Sequence, residues 1–249
     1  MPYGLYLSAA GAHAQDQRLR TLSHNLANVE TPGFKPQETI LQARFAELIE
    51  RGEISEGLGG ADDLGGGVTI QPTQTAFDVG PIQVTGRKTD FAIHDREAFF
   101  VIQHGEEQMM TRAGEFVLDS RGYLVTQNGH QVLASDGSPI QLQSDRPFDV
   151  GPQGTLIQGN NRWSLMLAKP KQLGDLEHLG GNLFKPTKSF DLVSPQERDV
   201  VAGSLEKSSV RPTNAMMELI ETSRVYEANV QMIKNQDNLM GSLVGRLLQ

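Results

Sequence analysis

Apolar residues recur at intervals of seven along the first thirty positions of the chain. This spacing places them on one narrow stripe of a helix, as in the seam of a coiled coil. The pattern predicts a helix from about residue 4 to residue 29, because the Thr31-Pro32-Gly33 sequence that follows disfavours helical backbone angles. The stripe consists of Leu5, Ala12, Leu19, Leu22, Leu26 and Val29.

A second apolar stripe runs through the last forty positions and predicts a helix from about Pro212 to Leu248. Roughly 36 residues at a rise of about 1.5 Å span about 54 Å, which is too long for a helix packed wholly inside a small domain. One heptad column contains Leu219, Tyr226, Ile233, Met240 and Leu247, and its predicted partner column contains Met216, Ser223, Val230, Asp237 and Val244.

The surroundings of these two stripes bear on their role. A heptad stripe is usually the buried side of a helix in a globular domain. Here the stripes lie at opposite ends of the chain, and the flanks of the first carry amides and imidazoles more than charges, as at Gln17, His24, Asn25 and Asn28. Amides can hydrogen-bond across an interface without the desolvation cost of buried charges, so the pattern favours helices that pack against further neighbours.

Between the two stripes the pattern changes to short apolar runs separated by turns. Strands are predicted from residue 91 to residue 167, and Asn128-Gly129 is the strongest short hairpin signal in the chain. Turns every 8–12 residues or so are typical of a β-sandwich or barrel. The predicted fold class is therefore α+β, with an all-β central domain between long terminal helices.

The segment before this β region has a different composition. Residues 53–67 contain six glycines and four acidic residues, which predicts a flexible or extended connector. The glycines lack the following lysine of a phosphate-binding loop, so a phosphate site is not expected there.

Net charge separates the ends from the middle. The chain carries a formal charge of −8, which argues against nucleic acid as a partner. Residues 1–35 have a net charge of +1 and residues 211–249 a net charge of 0, so the acidity lies between them. Repulsion between like charges is therefore expected between the middle regions of neighbouring chains, whereas the nearly neutral ends can associate.

Candidate chemistry is sparse. Cysteine is absent, which excludes disulfides and thiolate sites. His94 and His104 are close in sequence, but nothing makes them converge on a metal, and the Asp119–Gly122 segment fits a β-turn better than a calcium loop. We expect no enzymatic activity, cofactor or metal. We also expect no membrane span and no secretory signal, since no long apolar run is present.

The ends and the middle of the chain resemble the flagellar rod and hook axial proteins. Residues 23–35 read SHNLANVETPGFK and are similar to the family signature NLAN-x-x-T-x-GFK. Residues 205–210 (LEKSSV) and 221–229 (ETSRVYEAN) are similar to its C-terminal signature. In the middle, DFAI at 90–93, FFV at 99–101, TRAGEF at 111–116 and GYL at 122–124 match the family pattern.

Three positions depart from that pattern. Ser209 replaces the usual asparagine, Arg211 stands where an aspartate often precedes the helix, and residues 94–98 are more charged than the usual turn. The second departure predicts a weaker helix N-cap. These differences concern local capping and turn shape.

The resemblance implies an architecture and a role. The terminal helices are expected to pair as an inner coiled coil, with many subunits stacked helically into a tube and the β domain outside. The implied divisions are an N-terminal helix at 1–35, an extended connector at 36–88, a β domain at 89–204 and a C-terminal helix at 205–249. The assembly interface is expected at Leu5, Ala12, Leu19, Leu22, Asn25, Leu26, Asn28, Gly33, Phe34, Leu219, Tyr226, Asn229, Ile233, Met240 and Leu247.

The implied partners are copies of the chain, other rod, hook and basal-body axial proteins, and the flagellar type III export apparatus. The implied location is the periplasm-spanning rod of the basal body, reached without a cleavable signal peptide. The length favours the short rod members over the hook protein, and the opening residues Leu5-Tyr6 and 9–12 favour a proximal-rod protein, with a distal-rod protein as the alternative. An adhesin-like β module with helical trimerisation ends and a β-domain hydrolase remain as hypotheses from other classes.

Overall fold

The computed structural model describes residues 3–44, 67–143 and 146–247, and the side chains of residues 3, 43, 44 and 247 are outside the description. The chain divides into two compact units. The first, called the terminal unit, comprises Met1–Ala27, Gln37–Gln74 and Arg211–Gln249. The second, called the β unit, comprises Asn28–Pro36 and Thr75–Val210. Apart from Gly67, the predicted glycine-rich connector at 53–67 lies outside the described residues.

The terminal unit contains the two predicted helices. Helix α1 spans Tyr3–Ala27 and helix α2 spans Pro212–Leu247, both within two residues of the predicted bounds. The chain between them includes β1 (Gln37–Glu38), β2 (Leu41–Arg44), β3 (Gly67–Ile70) and β4 (Gln74–Thr75). Strands β2 and β3 pair antiparallel, with Leu41 opposite Ile70. Among these strands, β1 and β3 contact α1.

The β unit is built around one antiparallel sheet. The strands of this unit are β5 (Ile82–Val84), β6 (Phe91–Ile93), β7 (Phe99–His104), β8 (Glu107–Thr111), β9 (Phe116–Leu118), β10 (Leu124–Thr126), β11 (Gln131–Val132), β12 (Asp149–Gly151), β13 (Thr155–Gln158), β14 (Asn161–Ser164), β15 (Leu167–Pro170), β16 (Leu176–Gly180), β17 (Leu183–Pro186), β18 (Phe190–Leu192), β19 (Val200–Ala202) and β20 (Ser204–Glu206). The main sheet has the strand order β16-β17-β8-β7-β11-β10-β9, and β15 pairs with both β7 and β18. Smaller sheets pair β12-β13-β14, β19-β6 and β20-β5.

Strand β7 is buried on both of its faces, which explains its continuous apolar sequence. Phe100 and Ile102 belong to one core cluster, whereas Phe99 and Val101 belong to another. Because successive side chains in a strand point to opposite faces, four consecutive apolar residues serve two layers. The ring of Phe100 meets Phe116 edge to face at a centroid distance of 5.3 Å.

The predicted turns of the β region are confirmed at several points. The Asn128-Gly129 turn joins β10 to β11, with Val125 opposite Gln131 and Gly129 at a φ of +83°. The Asp119–Gly122 segment is a turn in which the Asp119 carboxylate accepts hydrogen bonds from the backbone N–H groups of Arg121 and Tyr123. At the end of the predicted strand region, the run from Trp163 to Leu167 divides between β14 and β15.

Candidate assembly interface

Helices α1 and α2 pack against each other in antiparallel orientation. A Cβ atom placed on Gly4 would lie 3.0 Å from Nε2 of Gln236, and one placed on Gly11 would lie 3.3 Å from Oδ1 of Asn229. Moving seven residues towards the C-terminus of α1 therefore corresponds to moving seven residues towards the N-terminus of α2. The two glycines bring the helices close at steps of one heptad, which is the spacing of a coiled-coil seam.

The side of α2 that is covered in the terminal unit carries two heptad columns. One was predicted, because Leu219, Tyr226 and Ile233 are half-buried on this side. The other contains the buried Ala215 and Thr222 together with the half-buried Asn229 and Gln236.

This second column is covered more completely than the predicted partner column. In the predicted column Ser223 and Val230 are half-buried, whereas Asp237 is exposed and Met216 and Val244 are each 51% exposed, so that column is covered only in its middle. Small or amide side chains at the contact allow the close approach of Gly4 and Gly11, which larger apolar residues would prevent. Among the remaining predicted residues, Met240 is 43% exposed, and the side chain of Leu247 lies outside the described residues.

Helix α1 is covered more completely than α2, since it contacts both α2 and β3. Ala12, Leu22 and Asn25 are buried, and Leu5, Leu19 and Leu26 are half-buried. Asn25 has a role that the heptad pattern did not reveal. Its amide accepts a hydrogen bond from the Gln37 N–H at 2.9 Å and donates one to the Gln37 carbonyl at 2.7 Å, so it holds the segment that follows the helix.

A side of α2 next to the one that faces α1 presents apolar side chains to solvent. Val225, Met232 and Leu239 recur at intervals of seven and are 42%, 53% and 64% exposed. They lie three or four residues from Asn229 and Gln236, which makes them a neighbouring stripe of the same helix. We call these three residues the outer column. Further exposed apolar residues of α2 are Met216, Met217, Ile220, Met240, Leu243 and Val244.

The NLAN-x-x-T-x-GFK sequence ends in a buried ion pair inside the β unit. Lys35 Nζ lies 2.6 Å from Oε1 of Glu206, and their side chains are 0% and 1% exposed. Lys35 also donates to the Asp78 carbonyl at 2.5 Å, and the Gly80 N–H donates to Oε1 of Glu206 at 2.9 Å. The residues that join the two ends of the β unit are therefore charged, buried and closely bonded.

A third charge completes this cluster. Arg112 Nε lies 3.4 Å from Oε2 of Glu206, and its terminal nitrogen donates to the carbonyls of Asp95 and Ala98 at 2.6 Å each. One carboxylate thus faces two cations. Burial lowers the pKa of Lys35 and of Arg112, and the neighbouring Glu206 carboxylate only partly offsets that effect. We call Lys35, Arg112 and Glu206 the buried triad.

Gly33 shapes the chain beside the buried triad. Its φ is +67°, and a Cβ atom at this position would lie 2.4 Å from the backbone carbonyl carbon of Arg112. Its N–H donates to the Glu206 carbonyl at 2.7 Å. A glycine is required for this close approach.

The structure thus places two predicted interface residues inside the β unit. Gly33 and Phe34 are both buried, so neither presents a contact surface. Asn28 accepts a hydrogen bond from the Thr31 hydroxyl at 3.2 Å at the turn after α1.

The buried triad is the feature that sequence reasoning missed. Its members occur in three of the motifs quoted for the family resemblance, GFK, TR and LE. The available signal was a charged residue beside apolar residues in each motif. Because the three residues are far apart along the chain, the sequence did not show that they are in contact. Among the described residues, no cluster of three or more His, Asp, Glu or Cys residues could hold a metal ion. Neither described helix is both long enough and apolar enough to cross a membrane.

Three family models match separate parts of the chain. The model described as "Flagella basal body rod protein" matches residues 5–35, and the model "Flagellar hook protein FlgE/F/G D1 domain" matches residues 92–158. The model "Flagellar basal body rod FlgEFG protein C-terminal" matches residues 201–246. These regions include both predicted signatures and the buried triad.

Full-length relatives agree with these matches. The flagellar basal-body rod protein FlgG of Bacillus subtilis (strain 168) is 28% identical, over 96% of this chain and 97% of its own length. FlgF of Caulobacter vibrioides is 29% identical, over 99% of this chain and 98% of its own. FlgF of Rhizobium meliloti is 26% identical, over 99% of this chain and 98% of its own length. The antiparallel terminal helices, the antiparallel β unit and these matches from end to end lead to one conclusion: the chain belongs to the family of flagellar basal-body rod proteins, and its role is structural.

Proposed function

We propose that this rod protein polymerises helically through its terminal helices, which pair as a coiled coil, and forms part of the flagellar drive shaft. The observation that carries the proposal is the exposed apolar side of α2. Large apolar patches on the surface of a protein mark interaction sites, and the outer column extends this patch over two heptads. Copies of the chain or other axial proteins of the rod and hook would cover it.

The geometry of α2 supports packing on two sides. One side faces α1 through Thr222 and Asn229, while the outer column lies on the adjacent stripe. A helix with two neighbouring heptad stripes can bind a helix on each of them. This arrangement suits a tube in which each subunit pairs its own helices and then packs against its neighbours.

Substituting Met232 tests this packing. Met232→Glu places a charge on the outer column, whereas Gln231→Glu places the same charge one residue away on a polar exposed position. We expect Met232→Glu to reduce incorporation into basal bodies and Gln231→Glu to leave it unchanged. Circular dichroism of both purified variants should match that of the wild type. Normal incorporation of Met232→Glu, or of a chain lacking residues 213–249, would contradict the proposal.

We propose the proximal rod as the position of this subunit, with the distal rod as the alternative. The comparisons include relatives of both kinds. The Caulobacter FlgF alignment covers 99% of the chain in 249 positions, whereas the Bacillus FlgG alignment needs 264 positions to cover 96%. The alignment with FlgF therefore needs fewer gaps than the alignment with FlgG, which supports the proximal position.

Cross-linking can distinguish these two positions. Because the chain contains no cysteine, a single Leu239→Cys substitution provides one reactive thiol on the outer column. Cross-linked neighbours in purified basal bodies can be identified by mass spectrometry. Cross-links to the chain itself and to a distal-rod protein would support the proximal position. Cross-links to hook proteins would favour the distal rod instead.

We also propose that the chain reaches the rod through the flagellar type III export apparatus and spans the periplasm there in a non-catalytic role. The absence of cysteine agrees with passage of an unfolded chain between compartments of different redox state. In a strain with an inactive export apparatus, the chain should remain in the cytoplasm. Its appearance outside the inner membrane of that strain would exclude this route.

A further inference from the structure

Two histidines meet at one end of the main sheet of the β unit. His104 is the last residue of β7, and His130 immediately precedes β11. Strands β7 and β11 pair antiparallel with Gln103 opposite Gln131, which brings the two histidines side by side. Their Nδ1 atoms are 3.2 Å apart, and their ring centroids are 4.5 Å apart with an interplanar angle of 69°.

Both histidines are attached to well-defined hairpins. His104 lies opposite Glu107 in the β7–β8 hairpin, whose turn contains Gly105 at a φ of +62°. In the β10–β11 hairpin, the Thr126 N–H donates to the His130 carbonyl at 2.8 Å, and the His130 N–H donates to the Thr126 hydroxyl at 3.2 Å. The backbones on both sides are thus fixed, while the rings lie at the surface.

We propose that His104 and His130 form a two-imidazole binding site for a divalent transition-metal ion of the zinc or copper type. The separation of the nitrogens carries the inference. Two imidazole nitrogens at about 2.0–2.1 Å from a tetrahedral zinc ion lie about 3.3 Å apart. The observed 3.2 Å, which the two rings span as one N–H···N hydrogen bond, is close to that separation, so the ion would displace the shared proton, and rotation of the rings would direct both nitrogens to it.

A metal ion of this type requires both imidazoles in their neutral form. A proton on both rings would place two like charges in contact, whereas one metal ion satisfies both nitrogens at once. No third His, Asp, Glu or Cys completes a cluster within the described residues, so water would fill the remaining coordination positions.

Zinc titration of the full chain tests the site. Isothermal titration calorimetry with Zn²⁺ alone should detect one ion per chain in the wild type. Replacing either histidine removes one of the two ligands, and loss of a mere outer-shell partner already weakens metal sites by about tenfold or more. We therefore expect His104→Gln and His130→Gln each to raise the apparent Kd for zinc at least tenfold.

His13→Gln is the matched control, because His13 is an exposed histidine of α1 far along the chain from the pair. It should bind zinc as the wild type does. The histidine Cε1–H signals of residues 104 and 130 should shift together on addition of zinc. Zinc affinity unchanged in His104→Gln and His130→Gln, equal loss in His13→Gln, or no zinc binding by the wild type would each overturn the proposal. Both substitutions lie at turns on the surface, and thermal unfolding without zinc verifies that the variants fold.

Discussion

Replacing Glu206 with glutamine would leave the two buried cations of the triad without their carboxylate. Glutamine preserves the size of the side chain and can still accept the hydrogen bonds of Lys35 and the Gly80 N–H. The change therefore isolates the charge. Removing one partner of a buried ion pair costs about 3–5 kcal/mol, because the remaining charge stays desolvated and uncompensated. We expect Glu206→Gln to lower the free energy of unfolding of the β unit by this amount.

Comparing the stability losses of two substitutions in the buried triad is a sharper test than the size of one loss alone. Lys35→Met removes one cation, but Arg112 remains 3.4 Å from Glu206, and the Gly80 N–H still donates to the carboxylate. Glu206 is then still compensated. Lys35→Met should therefore cost less stability than Glu206→Gln, although both disrupt the same 2.6 Å contact.

Urea unfolding monitored by Trp163 fluorescence is the appropriate assay. Trp163 is the only tryptophan of the sequence, and it packs against the core of the β unit. Glu107→Gln is the control, since Glu107 pairs with Lys185 at 2.7 Å at an exposed position where such pairs are worth at most about 1 kcal/mol. If Glu206→Gln lost no more stability than Glu107→Gln, or less than Lys35→Met, the assignment of the triad would be refuted.

Three further outcomes follow from the described contacts. Gly33→Ala should destabilise the β unit far more than Gly105→Ala in urea unfolding: both have positive φ, which costs about 1–2 kcal/mol, but only Gly33 would also clash with the Arg112 backbone. Asn25→Ala should lower the thermal stability of the terminal unit by about 1–3 kcal/mol, since it removes the two hydrogen bonds that Asn25 makes to the backbone of Gln37; an unchanged melting curve would contradict this role. Folding lowers the pKa of Lys35, so between the lowered pKa and the ordinary value of 10.5 the unfolded chain binds more protons than the folded chain. The free energy of unfolding should therefore rise with pH in this window. Lys35→Met should make this rise less steep, and an equally steep rise in the variant would refute the role of Lys35.

The sequence predicted those helices and turns whose signals lie within a short stretch of the chain. The heptad stripes identified both helices, and the Asn128-Gly129 pair identified its hairpin, because each signal is contained in a few adjacent positions. The strands from β16 to β20 carry no comparable pattern. They are three to five residues long, and pairings such as Leu183 with Thr111 join positions distant in sequence. Their formation depends on tertiary contacts rather than on local propensity.

The seam of α2 shows a different limit of sequence reasoning. Apolarity alone favoured Met216 and Val244 as seam residues, whereas the side facing α1 uses Ala215, Thr222 and Asn229. Backbone proximity at Gly4 and Gly11 decides this choice, since a close helix pair selects small side chains over large ones. The glycines of α1 were visible in the sequence, but their partners could be identified only once the antiparallel register was known.

The family signatures acquire a physical meaning from the buried triad. The β unit consists of residues 28–36 and 75–210. The contacts of Lys35 with Glu206 and of the Gly33 N–H with the Glu206 carbonyl join its first segment to the end of its second. The Ser209 N–H adds a bond to the Phe34 carbonyl at 3.3 Å. Because these bonds all lie within the β unit, it can hold its two ends together whether or not the terminal helices are packed. The GFK and LE motifs therefore close the β unit, and the exposed apolar side of α2 remains available for assembly.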